Sequence, residues 1–171
     1  LYTKSERPFV NGAFVMLGLV DIGVPFALML SVAFDGDTYY PNLIFSLLVM
    51  NWVNDSGAYL VGSRIGKTPL FPRISPKKTW EGSAGGMGLT LLFALLLCYV
   101  FQQLALLDWL VLAVIVVLFG SLGDLVESML KRSVQIKDSG SLLPGHGGLL
   151  DRFDAFIFLL PFATAYLLWI R

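Results

Sequence analysis

Asp151 and Asp154 stand three residues apart in DRFD, at the head of a long apolar stretch. On a helix that spacing projects both carboxylates to one side, near the positive end of the dipole. Arg152 points elsewhere, so the two anions repel each other unless a divalent ion lies between them; they would also serve as N-terminal capping groups. A third carboxylate comes from GSLGDLVESMLKR, where Asp124, Glu127, Ser128 and Lys131 fall at i, i+3, i+4 and i+7 and share a helix face. Lys131 and Arg132 have the position of ordinary interface anchors. Asp124 lies about two turns deeper and needs a partner, either a structural Lys or Arg or a metal ion. Carboxylate and water ligation suits Mg²⁺, which completes its shell from substrate phosphate. Asp124, Asp151 and Asp154 are the candidate ligands. NWVNDSGAY puts Asn51, Asn54 and Asp55 on one side of another apolar segment, and Asp55 is a further candidate for the same site.

Two segments rich in anion-binding groups lie between these helices. ISPKKTWEG offers Lys77 and Lys78 with Ser75 and Thr79 nearby, and KDSGSLLPGHGG offers Lys137, His146, Gly147 and Gly148 just before a helix start. Backbone amides at such a start bind phosphate readily. Either segment alone could merely set topology or touch anionic lipid. Carboxylates facing a ring of Lys, His and amides nevertheless describe a site for a metal-bound polyphosphate at a membrane surface.

The elements that must position these groups are transmembrane helices. Hydrophobic residues make up 56% of the chain and charged ones 14%, against about 25% charged in soluble domains, and the mean hydropathy is +0.75. The expected fold is all-α, a polytopic transmembrane bundle of about five spans: roughly 10–34, 41–62, 82–102, 109–130 and 149–170. Almost nothing is left for a soluble domain, and no nucleic-acid partner is expected. Residues 1–171 read as a single transmembrane catalytic domain. Its opening at Leu1, into an odd number of spans, suggests the C-terminal part of a longer polytopic protein.

Lys and Arg fall in alternate connections, while the connections around 35–40 and 103–108 have none. By the positive-inside rule the basic connections, and with them the polar site, face the cytoplasm of a multi-pass cell (inner) membrane protein. Trp80, Trp109, Trp169, Tyr39 and Tyr40 sit at span ends, where amphipathic rings favour the interface. Asp21, near Pro25 in the first span, is either functional or a hydrogen-bonded kink. Span three opens with GSAGGMG, a pattern for close helix packing rather than a phosphate-cradling loop. Cys98, alone among leucines, excludes a disulfide framework.

The run that ends in DRFD resembles the signature of the phosphatidate cytidylyltransferase (CDP-diacylglycerol synthase) family. It carries Ser128, Lys131 and Arg132, Lys137 and Asp138, Gly140, Leu143 and Pro144, His146 to Gly148, Asp151 and Arg152, and Asp154 in the family's order and spacing. GSLGDLVESMLKR, ISPKKTWEG and NDSGAYLVGSRIGK are similar to family segments too, so the likeness runs from about Asn51 onward. The resemblance implies transfer of CMP from CTP to phosphatidic acid, giving CDP-diacylglycerol and pyrophosphate, with Mg²⁺ required and a second cation compatible. It implies that Asp124, Asp151 and Asp154 hold metal, with Lys131 among the catalytic groups. Lys77, Lys78, Ser128, Arg132, Lys137, His146, Gly147, Gly148 and Arg152 would bind substrate phosphates. A homodimer is expected on the same ground.

Two rival readings make different demands. A CTP-dependent polyprenol or phytol-type lipid kinase would share the aspartates and basic loops, but not the complete HGGLLDRFD ending. A cation transporter would need polar residues at several depths reaching the outer face. Here they concentrate toward the cytoplasmic side.

Overall fold

Long apolar runs separated by Pro, Gly and charge fold as helices, because a chain in hydrocarbon must satisfy its own backbone groups. The computed structural model describes residues 8–35, 38–72, 74–133, 135–136, 139–140, 148 and 150–170. In chain order these form α1 (Pro8–Ala33), a two-residue pair β1 (Phe34–Asp35) and β2 (Thr38–Tyr39), α2 (Pro41–Ile65), an antiparallel hairpin β3 (Pro69–Phe71) and β4 (Ser75–Thr79), α3 (Trp80–Val100), α4 (Leu106–Ser133) and α5 (Leu150–Ile170). The chain is a helical membrane bundle, as expected. Among the described residues four helices are both long and apolar enough to cross a membrane: Phe9–Ala33, Trp80–Val100, Leu106–Ser133 and Phe153–Ile170. The fifth, α2, has 25 residues, about 37 Å of helix against a hydrocarbon layer of about 30 Å. Its Asn51, Asn54, Asp55 and Ser56 lower its hydropathy, and two of them, Asn54 and Asp55, line the polar cavity described below.

Packing concentrates on α2 against α3 and α4 against α5, while α1 lies against α5 and touches α2 lightly. Small residues make the first of these possible. A Cβ on Gly86 would stand 2.7 Å from the Asn54 carbonyl oxygen, and one on Gly82 would stand 2.8 Å from that of Ala58. The GSAGGMG segment is therefore a helix-packing surface, and α2 backbone presses directly on it. Met50, Leu112, Val116, Leu159, Leu160 and Leu167 form the centre of the apolar core.

Trp109 belongs to that core and not to the interface: it is 0% exposed, and its Nε1 has no hydrogen-bond partner among the described residues. Helix α4 starts earlier than expected, at Leu106, which draws Trp109 inward by a turn. Trp80, Trp169 and Tyr39 do remain exposed.

Candidate functional site

The hairpin β3–β4 brings its lysines to the helices because Glu81 fastens it. Glu81, in the first turn of α3, accepts from the Thr68 hydroxyl at 2.8 Å and from the backbone amides of Thr68 and Lys67 at 3.2 Å. The Trp80 amide donates to the Thr68 carbonyl at 3.0 Å, and Thr79 caps α3 by accepting from the Gly82 amide at 3.1 Å. With the hairpin base held in this way, Lys78 reaches inward and forms an ion pair with Asp124 of α4.

A cavity of about 290 Å³ lies around that pair. Asn54, Asp55 and Tyr59 of α2, Lys77 and Lys78 of the hairpin, Ser83 of α3 and Asp124 of α4 line it. Asp55 makes no hydrogen bond or ion pair among the described residues. Two carboxylates, two ammonium groups and hydroxyls thus face one space about ten residues of helix, or ~15 Å, in from the ends of α2 and α4. Charge held at that depth is costly without a ligand or partner.

The rest of the polar stripe on α4 turns toward α5. The Lys131 ammonium, 14% exposed, lies 2.7 Å from Asp151 Oδ1 and 3.4 Å from Glu127 Oε1. Asp151 also accepts from the Ser139 amide at 2.9 Å, the Ser139 hydroxyl at 3.0 Å and the Gly148 amide at 2.8 Å. Asp154 lines a second cavity, about 320 Å³ and mostly apolar, between α1, α4 and α5. Asp21, Glu127, Leu130, Phe158 and Phe162 share its walls.

The three carboxylates expected to share an ion therefore have three surroundings: Asp124 with Lys78, Asp151 with Lys131 and backbone amides, Asp154 in the apolar cavity. Among the described residues no group of three His, Cys, Asp or Glu side chains is placed to hold one metal ion. Asp55 and Asp124, by contrast, share a cavity with two lysines. That donor set fits Mg²⁺, which binds through one or two carboxylates and keeps its other positions for water and phosphate. Glu127 and Asp154 could face a second cation in the other cavity.

Of the expected phosphate-binding groups, Lys77 and Lys78 line the first cavity. Ser128 is half-buried on α4. Arg132 is exposed and donates to the Ile136 carbonyl at 3.3 Å, just past the end of the helix. Gly148 gives its amide to Asp151. Lys137, His146 and Gly147 lie outside the described residues, as does the side chain of Arg152.

Sequence reasoning overlooked Glu81, Ser83, Ser139 and Ser121, the last also on the wall of the first cavity. The last three are single hydroxyls with no pattern of their own. Glu81 could have been found from its place beside the KK pair, at the N-terminus of a helix, where an acidic group both meets the dipole and can receive loop amides.

A family model described as the cytidylyltransferase family matches residues 1–170. The chain is 44% identical over 164 residues to the phosphatidate cytidylyltransferase of Bacillus subtilis, covering 93% of this chain and 59% of that protein. It is 41% identical over 169 residues to the phosphatidate cytidylyltransferase of Staphylococcus saprophyticus, covering 98% and 64%. The corresponding protein of Staphylococcus aureus strain COL is 40% identical over 168 residues, covering 97% and 63%. The chain thus spans about three-fifths of the length of these curated relatives.

Proposed function

This chain belongs to the cytidylyltransferase family, and on that premise we propose that it transfers CMP from CTP to phosphatidic acid, releasing pyrophosphate and forming CDP-diacylglycerol. The observation that carries the reading is the cavity in which Asp55 and Asp124 face Lys77 and Lys78.

In this reading the phosphate oxygen of the lipid attacks the α-phosphorus of CTP. The bond from that phosphorus to the bridging oxygen breaks, and both its electrons leave with pyrophosphate. The attacking oxygen is ionised at neutral pH, so the site needs no strong general base. Lys77 and Lys78 bind and orient the triphosphate and hold positive charge where the leaving group gains negative charge. Asp124 and Asp55 would hold Mg²⁺, which when bound neutralises triphosphate oxygens and lowers the cost of the departing charge. Asp124 also keeps Lys78 within reach of the cavity. Asp154, with Glu127, is the candidate for a second cation beside the apolar cavity, whose Leu130, Phe158 and Phe162 suit a lipid substrate that cannot leave the bilayer cheaply.

The asymmetric distribution of Lys and Arg supports an active site facing the cytoplasm from the cell (inner) membrane. A homodimer rests on the family resemblance alone. The test is an assay of the full-length protein in nanodiscs with phosphatidic acid, Mg²⁺ and CTP labelled separately in its α and γ phosphates. Lipid carrying α label, with labelled pyrophosphate released from γ-labelled CTP, is expected. Lipid carrying γ label would instead make the protein a CTP-dependent kinase, and no transfer would return the aspartates to the transporter reading.

A further inference from the structure

The apolar cavity beside α5 has a direction. Along α5 its wall carries Asp154, Phe158 and Phe162, at i, i+4 and i+8, one helix face over two turns. Glu127 and Gly123 face them from α4, which runs the other way. A Cβ on Gly123 would stand 2.6 Å from Phe158 Cβ and 3.1 Å from Ala155 Cα, so the two helices close on each other there. Further along, the Phe119 ring of α4 stacks on Phe162 with centroids 3.6 Å apart and planes 11° apart. As the numbers fall from 127 to 119 on α4, they rise from 154 to 162 on α5.

The cavity is therefore a slot parallel to the helices. Carboxylates stand at one end, where Lys131 lies 3.4 Å from Glu127, and aromatic rings at the other. Phe158 joins the ring cluster, its centroid 5.9 Å from that of Phe162. From Asp154 to Phe162 the slot runs ~12 Å along α5, most of the ~15 Å depth of one hydrocarbon leaflet. Its third side is thin, formed from α1 by the exposed Asp21 and the buried Pro25. An unbranched apolar chain entering from the bilayer fits this shape, with its phosphate-bearing end kept among the charged groups.

We propose that the Phe119–Phe162 stack is the floor of an acyl-chain slot and sets the length of chain that the protein prefers in its lipid substrate. Phe162 meets the end of the chain. Phe119 is a positioning residue that backs Phe162 and acts through it. The inference rests on the cytidylyltransferase reading above, which it deepens by naming the part of the lipid that this cavity measures. A methylene that finds room in an apolar pocket is selected by about tenfold or more, and one that does not must displace packed rings or turn aside.

The experiment is a competition within one membrane. Full-length protein in nanodiscs receives Mg²⁺, CTP and an equimolar mixture of phosphatidic acids whose saturated chains run from about ten to about twenty carbons, which brackets one leaflet. The chain lengths of the product are read by mass spectrometry. Competing substrates report ratios of kcat/KM, which a smaller folded fraction does not move. Phe162→Ala is expected to raise the ratio of longest to shortest product by about tenfold. Phe119→Ala should move it the same way by about threefold, which keeps the test open if Phe162→Ala does not fold. Val126→Trp puts a ring into the slot short of its floor and should shift the product toward short chains.

The proposal is overturned if both floor variants return the wild-type distribution within about twofold while Val126→Trp shifts it, because chains then enter the slot and something else limits them. Unchanged distributions in all three variants, with CMP transfer intact, would overturn it too, since no chain then enters the slot. If the wild-type protein labels no phosphatidic acid of any length, the cytidylyltransferase reading itself fails and the inference falls with it.

Discussion

Lys78 lies on a hairpin outside the helices and Asp124 within α4, and the two meet as an ion pair on the wall of one polar cavity. The lysine has a route inward only because the hairpin is tied to α3, and the aspartate has a cation at its depth only because the lysine arrives. Both side chains are about one-third exposed, so the pair remains open to a ligand. Because the cavity leaves the pair accessible to water and ligand in spite of its depth, the pair adds little to stability. Its importance is predicted to be chemical.

Replacing Lys78 with Met should therefore reduce kcat/KM for CTP by about 10²–10³ while leaving thermal stability nearly unchanged, since a positioned charge at a departing phosphate contributes on that scale. Labelled-CTP kinetics together with a thermal melt of the same preparation check this. A large fall in melting temperature with normal kcat/KM would mean that the pair is structural.

Glu81 acts on the same cavity at one remove. Glu81→Gln weakens acceptance from Lys67, Thr68 and the Thr68 hydroxyl. These charge-assisted bonds lie at an exposed site, where water competes for both partners, so the hairpin shifts without the helices coming apart. The expected outcome is a KM for CTP raised several-fold with kcat within about threefold of wild type. Steady-state kinetics at saturating lipid measure the split.

The α2–α3 contact predicts a contrast between two glycines in one helix. Gly86→Ala places a Cβ 2.7 Å from both the Asn54 carbonyl and the Asn54 side-chain oxygen, whereas a Cβ on Gly88 meets nothing within 4 Å. Overpacking of this kind costs about 1–3 kcal/mol. Unfolding in detergent should show Gly86→Ala destabilised by that amount and Gly88→Ala unchanged or slightly stabilised, alanine being the better helix former.

At the opposite end of the bundle, the Tyr166 hydroxyl donates to Asp108 Oδ1 at 2.7 Å, and Asp108 Oδ2 accepts from the Ala105 amide at 3.2 Å. This network lies far along α4 from Asp124. Tyr166→Phe is expected to cost about 1 kcal/mol of stability and to leave label transfer from CTP unchanged; a thermal melt and the transfer assay on one preparation check both.

Much of this was legible in the residues themselves. Helix identity followed from apolar length, and the glycines of GSAGGMG declared a packing face because no other residue lets backbones meet. Asp55 and Asp124 were readable as polar groups at the wrong depth, and Lys77 and Lys78 as anion-binding groups in a basic connection. Their sharing of one cavity was not, since the turn of each helix about its axis depends on neighbours that the sequence does not name. For the same reason Asp124 and Lys131, on one stripe of α4, serve different partners: a stripe spans enough arc to touch both α2 and α5. Asp151 and Asp154 share a helix side as their spacing requires, yet one meets Ser139 and Gly148 and the other faces an apolar cavity. Trp109 was misplaced because helix α4 begins three residues before it.

The claim that CTP occupies the cavity between α2, the hairpin and α4 is tested most directly by ligand protection. In a Cys98→Ala background, Ser83→Cys places a thiol on that cavity and Val126→Cys places one on the apolar cavity beside α5. The account predicts that Mg²⁺ and CTP at ten times the dissociation constant slow maleimide labelling at position 83 by about tenfold, with no change at position 126. Protection at position 126 alone, or at neither position, would contradict it.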